Sequence, residues 1–198
     1  MKKITITQIS EKKIKAGNPL LQMEDFPNEL SFDEGELVEL VDSRQKFVAK
    51  AYLAKQNKGV GWVFSLDNAD SFNEAFFKKQ FEKAKRKRTD LQSDPETTTY
   101  RLFNAEGDGI PGVTIDHYDG FAVVSWYSEG IFRYQTAIIA AFQAVFPETK
   151  GIYEKFRYQR KDGLISRYVR GDAAPTPLIV KENGINYATY LDDGLMTG

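Results

Sequence analysis

Cysteine is absent from the 198 residues, which excludes disulfides, thiolate metal ligands and a cysteine nucleophile within the chain, whatever its redox surroundings. Histidine occurs once, as His117, so a histidine cluster is excluded as well. No stretch approaches the ~18 consecutive apolar residues of a membrane-spanning helix, and Met1-Lys-Lys followed by alternating Ile and Thr is no secretory signal. A soluble, cytoplasmic protein without membrane contact is therefore expected. A dominant charge sign is lacking too. The formal net charge is −1 with 28% charged residues, which argues against global attraction to a polyanion and against a charge-swollen disordered chain.

That near-zero sum conceals an asymmetry. Residues 1–88 carry 17 Lys and Arg against 13 Asp and Glu, whereas residues 89–198 carry 10 against 15. A surface for nucleic acid belongs on the first half. Typical domains run to about 100–150 residues, so one large or two small units fit this length. Composition and patterning favour two: residues 1–90, a polar link over 91–98 that contains Pro95, and residues 99–198.

In the first unit, Ile4–Thr7 reads as a short strand. Ser10–Gly17 reads as a brief helix whose Gly17 takes the left-handed conformation that ends helices. Strands are expected over Glu36–Val41 and Gln45–Leu53 around an Asp42-Ser-Arg-Gln turn, and over Val60–Leu66 with Trp62 and Phe64 on one face. Several short strands with one small helix predict a compact, barrel-like module. Ser71-Phe-Asn-Glu74 has capping-box spacing, and Phe72, Phe76, Phe77, Phe81 and Ala84 recur at helical spacing, which marks a buried stripe.

The other face of that helix is basic. Lys78, Lys79, Lys83, Lys85, Arg86, Lys87 and Arg88 place seven cations in eleven residues, opposed only by Glu82. Two readings stand. Cations at a helix C-terminus are favoured by the helix field, and the same cations can grip nucleic-acid phosphates by releasing counterions.

In the second unit, Thr99–Phe103 reads as extended before an acidic, glycine-rich turn, Glu106-Gly-Asp-Gly-Ile-Pro-Gly112. Strands over Val113–Ile115 and Phe121–Tyr127 are joined through His117-Tyr-Asp-Gly120. Tyr134, Ile138, Ala141 and Val145 mark a helix stopped by Pro147. Extended segments follow at Ile152–Phe156, Leu178–Val180 and Ile185–Leu191, the last two flanking the hairpin signal Glu182-Asn-Gly184. A small sheet carrying a helix results, not a doubly wound nucleotide-binding domain, because repeated strand-helix alternation is missing. The glycines of 107–112 fit neither phosphate loop nor dinucleotide fingerprint.

Candidate chemistry is sparse. Glu106, Asp108 and Asp116 can offer oxygen ligands to a hard cation or serve a small enzyme only if they converge. His117 reads as a turn or packing residue. Arg101 has two readings: pairing with Glu106 or Asp108 to pin the turn, or reaching a phosphate. Arg157, Arg160, Lys161, Arg167 and Arg170 form a looser basic stretch, either a solvated face or an extension of a nucleic-acid path. Tyr153, Phe156 and Tyr158 beside it read as sheet packing.

The run Arg101-Leu-Phe-Asn-Ala-Glu-Gly-Asp-Gly-Ile-Pro-Gly-Val-Thr-Ile-Asp116, with Tyr118 after it, then Glu182-Asn-Gly184 and Gly194-Leu-Met-Thr-Gly198, resembles a known family. These are S-adenosylmethionine-dependent methyltransferases that modify cytosine C5 in 23S ribosomal RNA. The resemblance spans nearly the whole chain, departing at Met196, where the family carries lysine. It implies an α+β architecture: an N-terminal PUA-like small β-barrel with short helices, then a smaller α/β middle domain with a mainly antiparallel sheet. Relatives continue past the position of Gly198 into a Rossmann-like catalytic domain, so the resemblance implies an N-terminal portion, inactive alone, that meets its catalytic domain in cis. Catalytic cysteines and S-adenosylmethionine-binding residues of the family have no matching positions, so no cofactor is expected in this chain.

In the family a cysteine thiolate attacks cytosine C6, C5 takes the cofactor methyl group and a base removes the C5 proton, with the target base out of its stack. The resemblance gives this chain RNA recognition and substrate positioning, with 23S ribosomal RNA as partner and oligomerisation possible. It adds Lys12, Lys13, Lys15 and Gly17, at the first helix, to Lys78, Lys79, Lys83, Lys85, Arg86, Lys87, Arg88 and Arg101 as RNA-binding candidates. For Lys12, Lys13, Lys15 and Gly17 a solvated face and a helix end is the rival reading. For the chain as a whole the rival is a non-catalytic protein-interaction or structural module, with the aromatic helix of 71–84 buried on a partner domain.

Overall fold

Residues 1–192 are described by the computed structural model; the Gly194–Gly198 motif lies outside the described residues. The first sheet is built from β1 (Lys2–Thr5), β2 (Leu20–Leu21), β3 (Leu37–Val41), β4 (Phe47–Gln56) and β5 (Gly59–Ser65), in the order β1-β3-β4-β5-β2. Helix α1 (Gln8–Lys15) connects its two outer strands. Thr7 caps α1 by accepting the Ser10 amide, and Gly17 adopts φ +94°, the left-handed exit expected of it.

The expected barrel is corrected here: the sheet is open. β1 pairs with β3 and β2 with β5, and no pairing joins β1 to β2 among the described residues. The reason lies at the two outer strands. β2 is two residues long, preceded by Pro19 and followed at once by a 3-10 turn, Met23–Asp25. The amide of Thr7 bonds Asp25 O, so the chain beyond β1 is tied to that turn rather than to a closing strand.

Helices α2 (Glu74–Lys87) and α3 (Thr89–Ser93) lead to the second sheet, made of β6 (Thr99–Asn104), β7 (Val113–Tyr118), β8 (Phe121–Trp126), β9 (Gly151–Phe156) and β10 (Ser166–Gly171), ordered β10-β9-β8-β7-β6. Only β8 and β9 run parallel, because α5 (Glu129–Phe132) and α6 (Gln135–Val145) carry the chain back between them. The other neighbours are antiparallel. Between β6 and β7 the acidic turn forms one short helix, α4 (Ala105–Asp108). A separate hairpin, β11 (Leu178–Glu182) with β12 (Ile185–Thr189), turns on Asn183 and Gly184 at φ +51° and +81°, as the Asn-Gly signal requires.

Three cores stack in layers. Ile14, Leu21, Val38, Leu40 and Leu53 fill one face of the first sheet beneath α1. Its opposite face contributes Tyr52, Trp62 and Phe64 to a larger core shared with Phe72, Phe76, Phe77 and Phe81, with Ile138 and Phe142, and with Phe103 and Trp126 of the second sheet. Beyond the second sheet, Tyr118, Val123 and Tyr153 pack on Leu178 and Val180 of the hairpin. The aromatic stripe is therefore buried within the chain itself, which removes the observation on which the partner-docking rival stood. The cap of α2 differs in detail. Asn73, not Ser71, accepts the Phe76 amide at 3.1 Å.

Candidate nucleic-acid interface

Four turns of α2 present one face to the shared core and the other to solvent. Phe76, Phe77, Phe81 and Ala84 are buried, while Lys78, Lys79, Lys83 and Arg86 are exposed. The exposed four are nearly free of compensation. Lys79 approaches Asp70 at 3.7 Å and Lys83 reaches the Gln80 amide oxygen at 3.3 Å. Neither Lys78 nor Arg86 has an ion-pair partner among the described residues. Four cations on three consecutive turns leave a positive stripe that a polyanion can neutralise.

The other three cations of the run serve the fold. Lys85 donates to Val145 O at 2.9 Å and to Glu148 at 3.2 Å, with its ammonium 4.8 Å from the Phe146 ring. Arg88 donates to Arg101 O at 2.7 Å, to Ala84 O at 3.2 Å and to Asp108 Oδ2 at 2.6 Å. Lys87 meets the other oxygen of the same carboxylate at 3.0 Å. Burial pushes the Asp108 carboxyl up, but Arg88, the Asn104 amide and Lys87 together hold it below the ordinary carboxylate range. The acidic turn is thus clamped to the end of α2.

Arg101 does not pin that turn. It pairs with Asp116, its direct cross-strand neighbour, at 2.6 and 3.3 Å. Sequence proximity had pointed to Glu106 or Asp108; the antiparallel register brings Asp116 opposite instead. Asp108 and Asp116 thereby serve separate ion pairs, so the three carboxylates of the candidate cation site are not assembled. No group of three or more His, Asp or Glu is placed to hold a metal among the described residues.

At α1 the candidates divide similarly. Lys12 is exposed. Lys13 is drawn to Asp25 at 2.5 Å, where Ser10 Oγ and the Gln22 amide also bond the carboxylate, and Lys15 pairs with Glu11. Gly17 opens to free space, with no atom within 4 Å of a Cβ placed on it. It borders a shallow hollow with Asn18, Pro19 and Leu66.

His117 accepts the Gly120 amide on Nε2 at 3.2 Å and stacks on Tyr100 with ring centroids 5.0 Å apart. Burial lowers its pKa. It occupies the turn and packing position expected. In the looser basic stretch, Arg167 bonds the fully buried Glu154 at 2.6 Å, and Arg170 bonds Gln143. Arg160 pairs with Asp162 and lies 4.3 Å from the Phe156 ring centroid. Arg157 and Lys161 remain exposed. Tyr153 and Phe156 are buried in the sheet.

Comparison with known proteins gives a consistent set of likenesses. A family model described as a PUA-like domain matches residues 4–66. The whole chain is 39% identical to the Bacillus subtilis protein named "Putative ribosomal RNA large subunit methyltransferase YwbD", covering 51% of it. Over 83% of its length it is 31% identical to ribosomal RNA large subunit methyltransferase I of Cronobacter sakazakii, covering 42% of that protein. Among solved structures, "A putative sam-dependent methyltransferase from Streptococcus mutans" superposes with a TM-score of 0.91 at 41% identity, over 99% of this chain and 50% of that one. A second, titled "a putative methyltransferase complexed with SAH", gives the same values. The chain spans about half the length of the relatives it matches.

Proposed function

We propose, taking as premise that this chain is homologous to part of the ribosomal RNA large subunit methyltransferases, that it is the RNA-recognition and substrate-positioning portion of an S-adenosylmethionine-dependent methyltransferase acting on cytosine C5 of 23S ribosomal RNA. The observation that carries this reading is the exposed stripe of Lys78, Lys79, Lys83 and Arg86 on a helix whose other face is locked into the core. Fixed cations aimed at solvent favour phosphate binding without reorganisation, and they position a nucleic acid without reading its bases.

Lys12 of the first helix and Gly17 just beyond its end are best placed to extend that grip, one as a cation with no ion-pair partner among the described residues and one as a close backbone approach. Lys13 and Lys15 contribute less, because each already holds an internal carboxylate.

The described residues do not fit the cofactor. The first sheet is almost wholly antiparallel and the second holds one parallel pair. Among the described residues no glycine loop of nucleotide-binding kind leads from a strand into a helix. In this reading the chain spends remote binding energy on orienting the target strand while reacting groups act from elsewhere in the enzyme.

Titrating a structured 23S ribosomal RNA fragment into the chain at two salt concentrations tests this. Binding that weakens steeply with salt, without methyl transfer, is expected; no binding at low salt defeats the reading.

A further inference from the structure

The two sheets do not meet flush. A cleft of about 520 Å3 opens where the Glu34 turn of the first half faces α5 and the loop between β9 and β10, a size within the ~300–1,000 Å3 of ordinary small-ligand sites. Its wall carries charges of both signs, but they are not equally available. Asp162 is held by two bonds from Arg160 and titrates at about 2 because of that guanidinium. Glu34 accepts the Lys55 amide at 3.0 Å. Glu129 hydrogen-bonds Tyr158, whose own hydroxyl is pushed up to about 12, chiefly by burial.

Each carboxylate is thus engaged by a protein donor. Arg133 and Lys161 are exposed and have no acidic partner among the described residues. The stem of Arg133 runs past Gly35, its Cβ and Cδ at 3.5 and 3.2 Å from where a Cβ on that glycine would sit. The same wall holds the exposed amide of Gln159 and the guanidinium of Arg160, the latter with its Cζ 4.3 Å from the Phe156 ring centroid.

We infer that this junction cleft is a subsite for one unpaired nucleotide of the RNA. A phosphate between Arg133 and Lys161 meets the two cations of the wall that have no ion-pair partner among the described residues. A base then falls beside Arg160 and Gln159, a planar cation for stacking and an amide that both donates and accepts. A duplex is excluded from so small a concavity, so the subsite selects single-stranded character at a place separate from the backbone-gripping stripe of α2. This inference rests on the proposed RNA role and adds a nucleotide-sized site to it.

The test uses an unstructured oligoribonucleotide, a blunt RNA duplex and cytidine 5′-monophosphate, each titrated into isotopically labelled protein. The inference expects saturable backbone shifts at 132–134 and 159–162 with the oligonucleotide and the monophosphate, and none there with the duplex. The paired substitutions Arg133→Glu and Lys161→Glu weaken oligonucleotide binding by about tenfold or more and lower its salt slope by about 0.7, the value for one phosphate contact on a single strand, with duplex binding unchanged. Lys161→Glu alone, at an exposed side chain, gives about half that slope change and guards against misfolding of the pair. Oligonucleotide binding that leaves the cleft resonances and the salt slope unaltered overturns the subsite and spares the RNA role. Failure of every RNA to bind at low salt overturns both.

Discussion

At Gly112 the backbone sits at φ +78°, and a Cβ there would lie 2.5 Å from the Tyr52 hydroxyl. That hydroxyl donates to Pro111 O at 3.0 Å across the boundary between the sheets. The Ile-Pro-Gly end of the acidic turn is thus a docking point on the first sheet. Gly130 is tighter still, a Cβ on it colliding with Ala54 and the Gly35 backbone. Gly130→Ala is expected to cost ~2–3 kcal/mol, read as a lower denaturant midpoint at unchanged slope. Gly17→Ala, where only the positive φ is offended, costs about 1 kcal/mol. Comparable losses at the two sites would contradict the close-approach account. Asp108→Asn tests the clamp on α2: removing one partner of a buried pair costs ~3 kcal/mol. The pH dependence follows in sign. Asp25 and Asp108 titrate below their ordinary value in the folded state, so their contribution is present above pH ~3.9 and fades as pH falls through the folded value. His117 is likewise depressed, by burial; its contribution is complete above pH ~6.5 and fades as the pH drops below it. Stability followed from pH 7 to 5 should decline in the native chain and flatten in His117→Asn.

Among the elements, α2 separates binding from stability along a single helix. Lys78→Gln with Arg86→Gln is expected to change the melting temperature by only a few degrees, since neither side chain has an ion-pair partner among the described residues, while RNA affinity and its salt slope fall. Lys85→Ala lowers the melting temperature by losing two hydrogen bonds and the Phe146 contact. Equal thermal losses in both variants would show that the stripe is structural. Much of this element was legible beforehand: the period of Phe76, Phe77, Phe81 and Ala84 announced the buried face. What periodicity cannot separate is a cation facing solvent from one turned back by a helix terminus, because Lys87 and Arg88 depend on where Asp108 comes to rest. The Asp119-Gly120 and Asn183-Gly184 turns were legible for the opposite reason, since a two-residue hairpin is decided within four residues. β10 escaped notice because Ser166–Gly171 lies at a sheet edge, where charged residues replace the alternation that marks a half-buried strand. The open first sheet escaped for want of a non-local fact: strands can be counted from the sequence, but closure depends on whether the two outermost reach each other.

For the molecule as a whole, the decisive feature is that the largest core belongs to neither half. Trp62 and Phe64 of the first sheet, four phenylalanines at 72–81, and Phe103 and Trp126 of the second share it. Tyr134 Oη adds a 2.6 Å bond to Gly35 O across the same boundary. Separating the halves exposes that aromatic surface to water, at roughly 25 cal/mol for each Å2. We therefore expect one cooperative heat-denaturation transition, with calorimetric and van't Hoff enthalpies in agreement. A chain ending at residue 90 should be poorly folded, its helix 74–87 losing the partner α6. Two resolved transitions, or a well-dispersed spectrum from residues 1–90 alone, would show instead that each half carries a sufficient core. The outcome bears on function, because a fixed spacing between the α2 stripe and the junction cleft requires both to ride on one rigid frame. Loosening that frame by Tyr52→Phe, which strands the Pro111 carbonyl at a cost of ~1–3 kcal/mol, should then weaken RNA binding even though Tyr52 is fully buried and touches no RNA.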